Sequence, residues 1–225
     1  MTRYFITATG TDVGKTHIAS LLLRGWRANG FSVAAAKPVL SGLGELELHD
    51  TDSARLLSAM DQTVSEDSVA AMTPWRYQAA LSPDMAAARE GKTIPFDDVM
   101  AHCQQAVMAH DADRGLIEGA GGVFVPLDDT HTMLDWMGAL GTPAILVAGG
   151  YLGTISHTLT AIEVLQNHDI KIAAVVISES TDAPVSSEET INALRRFAPS
   201  VRYTSVPRVG EDDNGAAIAL ADFVG

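Results

Sequence analysis

Eight consecutive residues, Thr9-Gly10-Thr11-Asp12-Val13-Gly14-Lys15-Thr16, carry the densest chemistry in the chain. They follow the apolar run Arg3–Ala8 and open a segment of helical period at Lys15, so the loop joins a strand to a helix. In that context backbone N–H groups converge on phosphate oxygens, and the helix N-terminus adds partial positive charge. Lys15 then reaches terminal phosphates, and the Thr16 hydroxyl is a hard ligand suited to Mg²⁺. The usual first glycine, five positions before Gly14, is Thr9 here, while Gly10 falls inside the loop, so the loop is a variant of its type. Gly14-Lys15-Thr16 alone also fits an ordinary tight turn and helix start.

Two more charged residues stand where a parallel sheet places its ligands, and a third, Asp52, lies outside the expected strands. Lys37 precedes Pro38, which pushes it toward extended geometry at the C-terminal end of a strand. Glu118 ends the run Gly115-Leu116-Ile117 and is followed by Gly119-Ala120-Gly121-Gly122, small residues that let backbone approach phosphate or substrate; a simple tight turn is the plain alternative. Asp52 lies in Thr51-Asp52, which reads equally well as a helix cap before an apolar-periodic segment.

The elements that must position these residues alternate between short runs rich in Val, Ile, Ala and Phe and longer stretches of helical period. This predicts an α/β protein whose mostly parallel central sheet is covered on both faces. Strands are expected at Arg3–Ala8, Ser32–Val39, Gly115–Glu118, Pro143–Ala148, Lys171–Ser178 and Val201–Val206. Helices are expected at Lys15–Asn29, from Pro83 to Glu90, over Asp97–Ala109 and Thr154–Gln166, and after the Ser186/Glu189 capping box. Cys103, among Val99, Met100 and Val107, reads as a small core residue. Ser41–Asp50 and Ala59–Gln78 show no strong period and read as loops over a site. No linker or charge run divides residues 1–225, so one domain is expected.

With 225 residues, 47% hydrophobic, and a mean hydropathy of +0.12, the chain can bury a sizeable core, which excludes disorder as its main state. A net charge of −13 with no basic patch makes duplex nucleic acid and anionic membranes poor partners. One cysteine and no export or membrane-spanning signal point to the cytoplasm.

Beyond the loop itself, Phe5 to Thr16, Ala36-Lys37-Pro38-Val39-Leu40-Ser41-Gly42, Thr51-Asp52, Ser82-Pro83, Glu118 to Gly122 and Leu152-Gly153-Thr154 follow in the order of a known family. Together they resemble the ATP-dependent dethiobiotin synthetases over nearly the whole chain, the Lys-Pro-Val-x-Ser-Gly stretch being the selective piece. The resemblance implies a three-layer P-loop NTPase-like fold and a homodimer. It also implies that 7,8-diaminopelargonate, CO₂ and MgATP give dethiobiotin, ADP and phosphate. One amine takes up CO₂ as a carbamate, the carbamate attacks the γ-phosphate, and the second amine closes the cyclic urea.

By the same resemblance Lys37 is the catalytic lysine near carbamate and γ-phosphate, assisted by Lys15 and Thr11. Nucleotide contacts fall to Asp12, Val13, Gly14, Lys15, Thr16 and His17, to Asp52, Glu118, Gly119, Ala120 and Gly121, and to Ser178, Pro207 and Glu211. Thr16, Asp52 and Glu118 surround Mg²⁺. Ser41, Gly121 and Gly122 contact the substrate, with Gly153 and Thr154 holding its carboxylate from across the dimer interface.

The chain departs from the family at three places: Ala8 stands for an early glycine, Pro83-Asp84 for Pro-His, and Ser178-Glu179 for the Asn that commonly reads adenine. A serine hydroxyl makes fewer simultaneous contacts to a base edge than an amide, so ATP is expected to be used without strong preference over other nucleoside triphosphates. A dimeric ATPase switch of the partitioning or positioning type is the main alternative, but its signature lysine would stand where this chain has Gly10. A nucleotide-binding regulatory homologue would have no need of Lys37.

Overall fold

Six parallel strands build the main sheet of the computed structural model, which describes residues 1–207 and 213–225. In chain order the strands are β1 (Thr2–Ala8), β2 (Val33–Ala36), β3 (Val39–Ser41), β4 (Trp75–Tyr77), β5 (Arg114–Glu118), β6 (Ala144–Gly149), β7 (Ile172–Ser178) and β8 (Tyr203–Val206). The main sheet runs β2-β5-β1-β6-β7-β8, and β3 pairs with β4 in a separate parallel ribbon. Every residue of β6 is buried, as a central parallel strand covered on both faces requires.

Nine helices enclose the sheet among the described residues: α1 (Lys15–Ala28), α2 (Asp52–Ala59), α3 (Glu66–Met72), α4 (Pro83–Arg89), α5 (Phe96–Cys103), α6 (Met133–Leu140), α7 (Thr154–Asn167), α8 (Ser187–Phe197) and α9 (Asn214–Val224). Alternating strand residues feed two cores. Phe5, Leu146 and Val175 pack with Trp136 and Leu194 on one face, while Ile6, Val147 and Val176 pack with Leu22, Trp26 and Leu220 on the other. On the second face α1 meets α9 so closely at Gly25 that a Cβ there would lie 2.1 Å from the Ala217 carbonyl oxygen. Only glycine allows that approach, and it holds the C-terminal helix against the helix that carries the phosphate loop.

Register places the tips of β1, β5 and β2 side by side: Ile6 is opposite Glu118, and Ala36 opposite Ile117. The chain leaves β1 toward one side of the sheet and reaches β6 on the other, which opens a crevice beyond the strand tips. The loop Thr9–Gly14 fills that crevice.

The expected strand Ser32–Val39 is in fact two. It leaves the sheet after Ala36, since Pro38 has no N–H for a ladder, and resumes at β3, where the Pro38 carbonyl accepts from the Trp75 N–H at 3.1 Å. The expected helix Asp97–Ala109 is α-helical only to Cys103 and ends in a π-turn over Gln104–Met108. Arg3 accounts for that ending, because its guanidinium donates to the carbonyls of Val107 (2.7 Å), His110 (2.6 Å) and Ala112 (2.9 Å). Ser41–Asp50 contains two 3₁₀ turns, whereas Ala59–Gln78 holds α3 and β4 rather than a loop. Cys103 is fully buried, which pushes its thiol up to about 12 and removes it as a nucleophile.

Candidate active site

Two residues set the phosphate loop's path. Asp12 (φ 58°) and Gly14 (φ 97°) are left-handed, and a Cβ on Gly14 would lie 2.5 Å from the Ser178 Oγ. Gly14 therefore needs both the positive φ and the missing side chain. Behind it Lys15 is buried, its Nζ 3.5 Å from the Gly10 carbonyl. Burial, and then the neighbouring Lys37, lower the Lys15 pKa to about 8. Triphosphate favours the ammonium form, so nucleotide binding should take up a proton. Above pH 8 the affinity for ATP is expected to fall about tenfold per pH unit. Isothermal titration in buffers of different ionisation enthalpy checks this, and a flat affinity from pH 7 to 9.5 would refute it.

The centre of the site is Lys37, only 3% exposed. Its ammonium lies 2.7 Å from Glu118 Oε1 and 3.0 Å from Asp52 Oδ2, and donates to the Gly119 carbonyl at 3.1 Å. Three donors meet three acceptors, which is why a buried ammonium is tolerated. Burial alone would lower the Lys37 pKa; Glu118 and Asp52 outweigh it and hold the group charged. For Asp52, burial acts upward but Lys37 overrides it, so the carboxyl lies below its ordinary range. Glu118 goes the other way: burial, reinforced by Asp52 and opposed by Lys37, raises it.

Thr16 donates its hydroxyl to the same Glu118 Oε1 at 2.8 Å, while Glu118 Oε2 is buried without a hydrogen-bond partner. An orphaned buried carboxylate oxygen is unusual, and a cation would satisfy it. Among the described residues no group of three or more His, Cys, Asp and Glu side chains is placed to hold a metal ion. The donors are instead two carboxylates and a hydroxyl, all oxygen, which fits Mg²⁺ completed by water and phosphate.

Thr11, Asp12, Gly14, Lys15, Thr16 and His17 line one side of a cleft of about 520 Å³, and Lys37, Ser41, Asp52, Ala120 and Gly121 line the other. Past Thr11, Ser41 and Gly121 it adjoins a second space of about 440 Å³ reaching Leu81 and Pro83. There the Ser41 hydroxyl donates to the Leu81 carbonyl at 2.7 Å. Glu118 and Gly119 meet the cleft through Lys37. Val13 packs against the α1-side core.

Other expected site residues lie apart. Gly122 lines an apolar groove of about 480 Å³ with Phe124, Val125 and His157. Gly153 precedes α7, and Thr154 turns its hydroxyl inward to the Gly149 carbonyl at 2.6 Å. Ser178 sits under Gly14 and is opposite Val206 across β7 and β8. Pro207 lines a further cleft of about 450 Å³ against α9, and Glu211 is outside the described residues. Glu179 accepts from the Ser187 hydroxyl at 2.9 Å, so its carboxylate is committed to the start of α8. Arg55, which sequence reading passed over, also lines the main cleft; it is three residues past Asp52 on α2, and helical spacing was the signal that could have found it.

A strand–loop–helix cradle for phosphate, at the tips of a parallel sheet with helices on both faces, defines a P-loop nucleotide-binding protein. Residues 2–213 match the family model described as an AAA domain. The MinC:MinD cell division protein complex of Aquifex aeolicus shares the fold at a TM-score of 0.59 and 12% identity, over 99% of this chain and 95% of that one. The cell division ATPase MinD of Pyrococcus furiosus does so at 0.55 and 16%, over 100% and 98%. At that identity the likeness is one of fold alone.

Sequence relatives go further. The ATP-dependent dethiobiotin synthetase BioD of Acidiphilium cryptum is 50% identical over 87% of this chain and 88% of its own. That of Caulobacter vibrioides is 46% identical over 98% and 99%, and BioD 1 of Escherichia coli is 32% identical over 96% and 94%. The chain belongs to the family of ATP-dependent dethiobiotin synthetases and is an ATP-dependent ligase. Among the described residues no helix is long and apolar enough to cross a membrane.

Proposed function

We propose that residues 1–225 act as one domain that forms the cyclic urea of dethiobiotin from 7,8-diaminopelargonate, CO₂ and ATP, releasing ADP and phosphate, in cytoplasmic biotin synthesis. The observation that carries this reading is Lys37, a buried ammonium held by Asp52 and Glu118 between the phosphate loop and the Ser41 pocket. Simple nucleotide storage has no use for a second buried cation there.

The loop N–H groups and Lys15 hold the β- and γ-phosphates, leaving the γ-phosphorus facing Lys37. One substrate amine adds to CO₂ and loses a proton to give a carbamate, whose oxygens Lys37 positions and whose charge it balances. A carbamate oxygen attacks the γ-phosphorus while the bond to ADP breaks, and Lys15 and Lys37 accept the charge spread over the phosphoryl oxygens. The second amine then attacks the carbamoyl carbon, the ring closes, and phosphate leaves with the anhydride oxygen. Placement within the cleft contributes most of the rate. Mg²⁺, held by Thr16, Asp52 and Glu118, would neutralise phosphate charge throughout.

Ser41, Gly121 and the Leu81–Pro83 space suit the diamine end, with Thr11 alongside. The substrate carboxylate is assigned to Gly153 and Thr154 at the α7 N-terminus of a second copy, the apolar groove at Gly122 and Phe124 forming the contact. Ser178, Pro207 and Glu211 are assigned to the base and ribose. With serine at position 178 and Glu179 tied to Ser187, ATP and GTP should support turnover within about tenfold of each other. A steep ATP preference in competition kinetics would overturn that.

The deciding experiment measures phosphate release from MgATP and bicarbonate with and without 7,8-diaminopelargonate, with the organic product weighed by mass spectrometry. Diamine-dependent release with a dethiobiotin product is expected. Release indifferent to the diamine would indicate a switch ATPase instead.

A further inference from the structure

A second, smaller cavity of about 160 Å³ lies on the flank of α1 away from the phosphate loop's mouth. His17, Ser20 and Arg24 reach it from one face of α1, at positions i, i+3 and i+7. His49 comes from the 3₁₀ turn at Leu48–Asp50 and Arg55 from α2. His17 and Arg55 also line the nucleotide cleft and so separate the two spaces. One carboxylate, Asp50, stands at the cavity as well.

Two polar groups here are unexplained by the fold. The Arg24 guanidinium makes no hydrogen bond among the described residues, and its Nη2 is withdrawn from solvent. The Ser20 hydroxyl, in a residue only 6% exposed, likewise has no partner. Native proteins seldom bury such donors unsatisfied, and an unpaired charged donor is the more costly of the two. Concentrating arginine and histidine around one cavity is also out of keeping with a chain of net charge −13.

We infer that this cavity binds a small tetrahedral oxyanion of the phosphate class. A guanidinium fork matches two oxygens of such an ion, and serine and imidazole donors suit the remaining two. The volume is about five times a water's share of the liquid, enough for one inorganic phosphate and too small for a nucleotide. The site is distinct from the phosphate loop, although His17 and Arg55 give it a route to influence that cleft.

Equilibrium dialysis with radiolabelled inorganic phosphate tests this, with the phosphate loop filled by a non-hydrolysable MgATP analogue. One phosphate per chain is expected to bind beside the analogue. Arg24→Gln should weaken it at least about tenfold, and the more exposed His49→Gln, which leaves the packing of α1 intact, should weaken it about threefold. Both variants should keep their kcat and their KM for ATP. Phenyl phosphate, carrying the same group on a bulky ester, should bind at least about tenfold more weakly than the free ion. No binding beside the analogue, or unchanged binding in both variants, would overturn the site. Tighter binding of the ester would overturn its assignment to the free ion.

Discussion

Replacing Lys37 by alanine is expected to lower turnover by about 10³-fold or more, the scale on which a charged group at a transferring phosphoryl acts. Nucleotide should still bind, because the loop amides and Lys15 do not pass through Lys37. The substitution also strands Glu118, whose side chain is fully buried, so stability should fall by about 2–4 kcal/mol at neutral pH. The sign of the pH dependence is specific. Glu118 already has a folded-state pKa raised by burial, and without Lys37 it rises further. The native state then binds more protons than the unfolded one, so the variant loses stability as pH rises through that raised value. Melting curves at pH 5.5 and 8 should show the gap to the parent protein widening with pH. Lys37→Arg keeps the charge but not the compact three-donor geometry, so it should recover part of the stability and little of the turnover. Near-normal turnover in Lys37→Ala would remove Lys37 from the chemistry.

Glu118→Gln is expected to lower turnover by about 10²- to 10³-fold at ordinary Mg²⁺ and to raise the Mg²⁺ needed for half-maximal rate by about tenfold or more. The amide keeps the shape and can still accept from Thr16, but its neutral oxygen is a weak ligand. Lys37 keeps Asp52 as its one carboxylate and the Gly119 carbonyl as an acceptor, so the stability loss should be smaller than in Lys37→Ala, about 1–3 kcal/mol. A Mg²⁺ titration of phosphate release checks the assignment. An unaltered Mg²⁺ requirement would confine Glu118 to holding Lys37.

Local rules made the phosphate loop, its strand and its helix legible, because a tight turn, a lysine and a hydroxyl at fixed offsets are adjacent in the chain. Long apolar runs likewise marked five strands of the sheet to within a few residues. The sixth failed at Lys37-Pro38, where the break places the lysine among the acids; residue type alone reads the stretch as continuous. Helix α6 was missed although Thr132 and Asp135 form a capping box before it, since its buried Met133, Leu134, Trp136 and Met137 blur the period that marks an amphipathic helix. Helix α9 was passed over as well, and its place against Gly25 is a contact between the first helix and the last.

What the sequence by itself determined is the chemistry available: a loop for phosphate, two lysines, two carboxylates and a hydroxyl in an acidic α/β chain, in the order of one ligase family. Only the tertiary structure decided that Lys37, Asp52 and Glu118 share one ion-paired centre with Thr16. Thr16 and Glu118 are 102 positions apart; the parallel register of β2, β5 and β1 brings the strand ends that carry Lys37 and Glu118 to one edge, and α1 and α2 bring Thr16 and Asp52 to them. Period and residue type carry no information about which strands are neighbours. The charge states of Lys15 and Glu118, which depend on burial beside that centre, were decided at the same step.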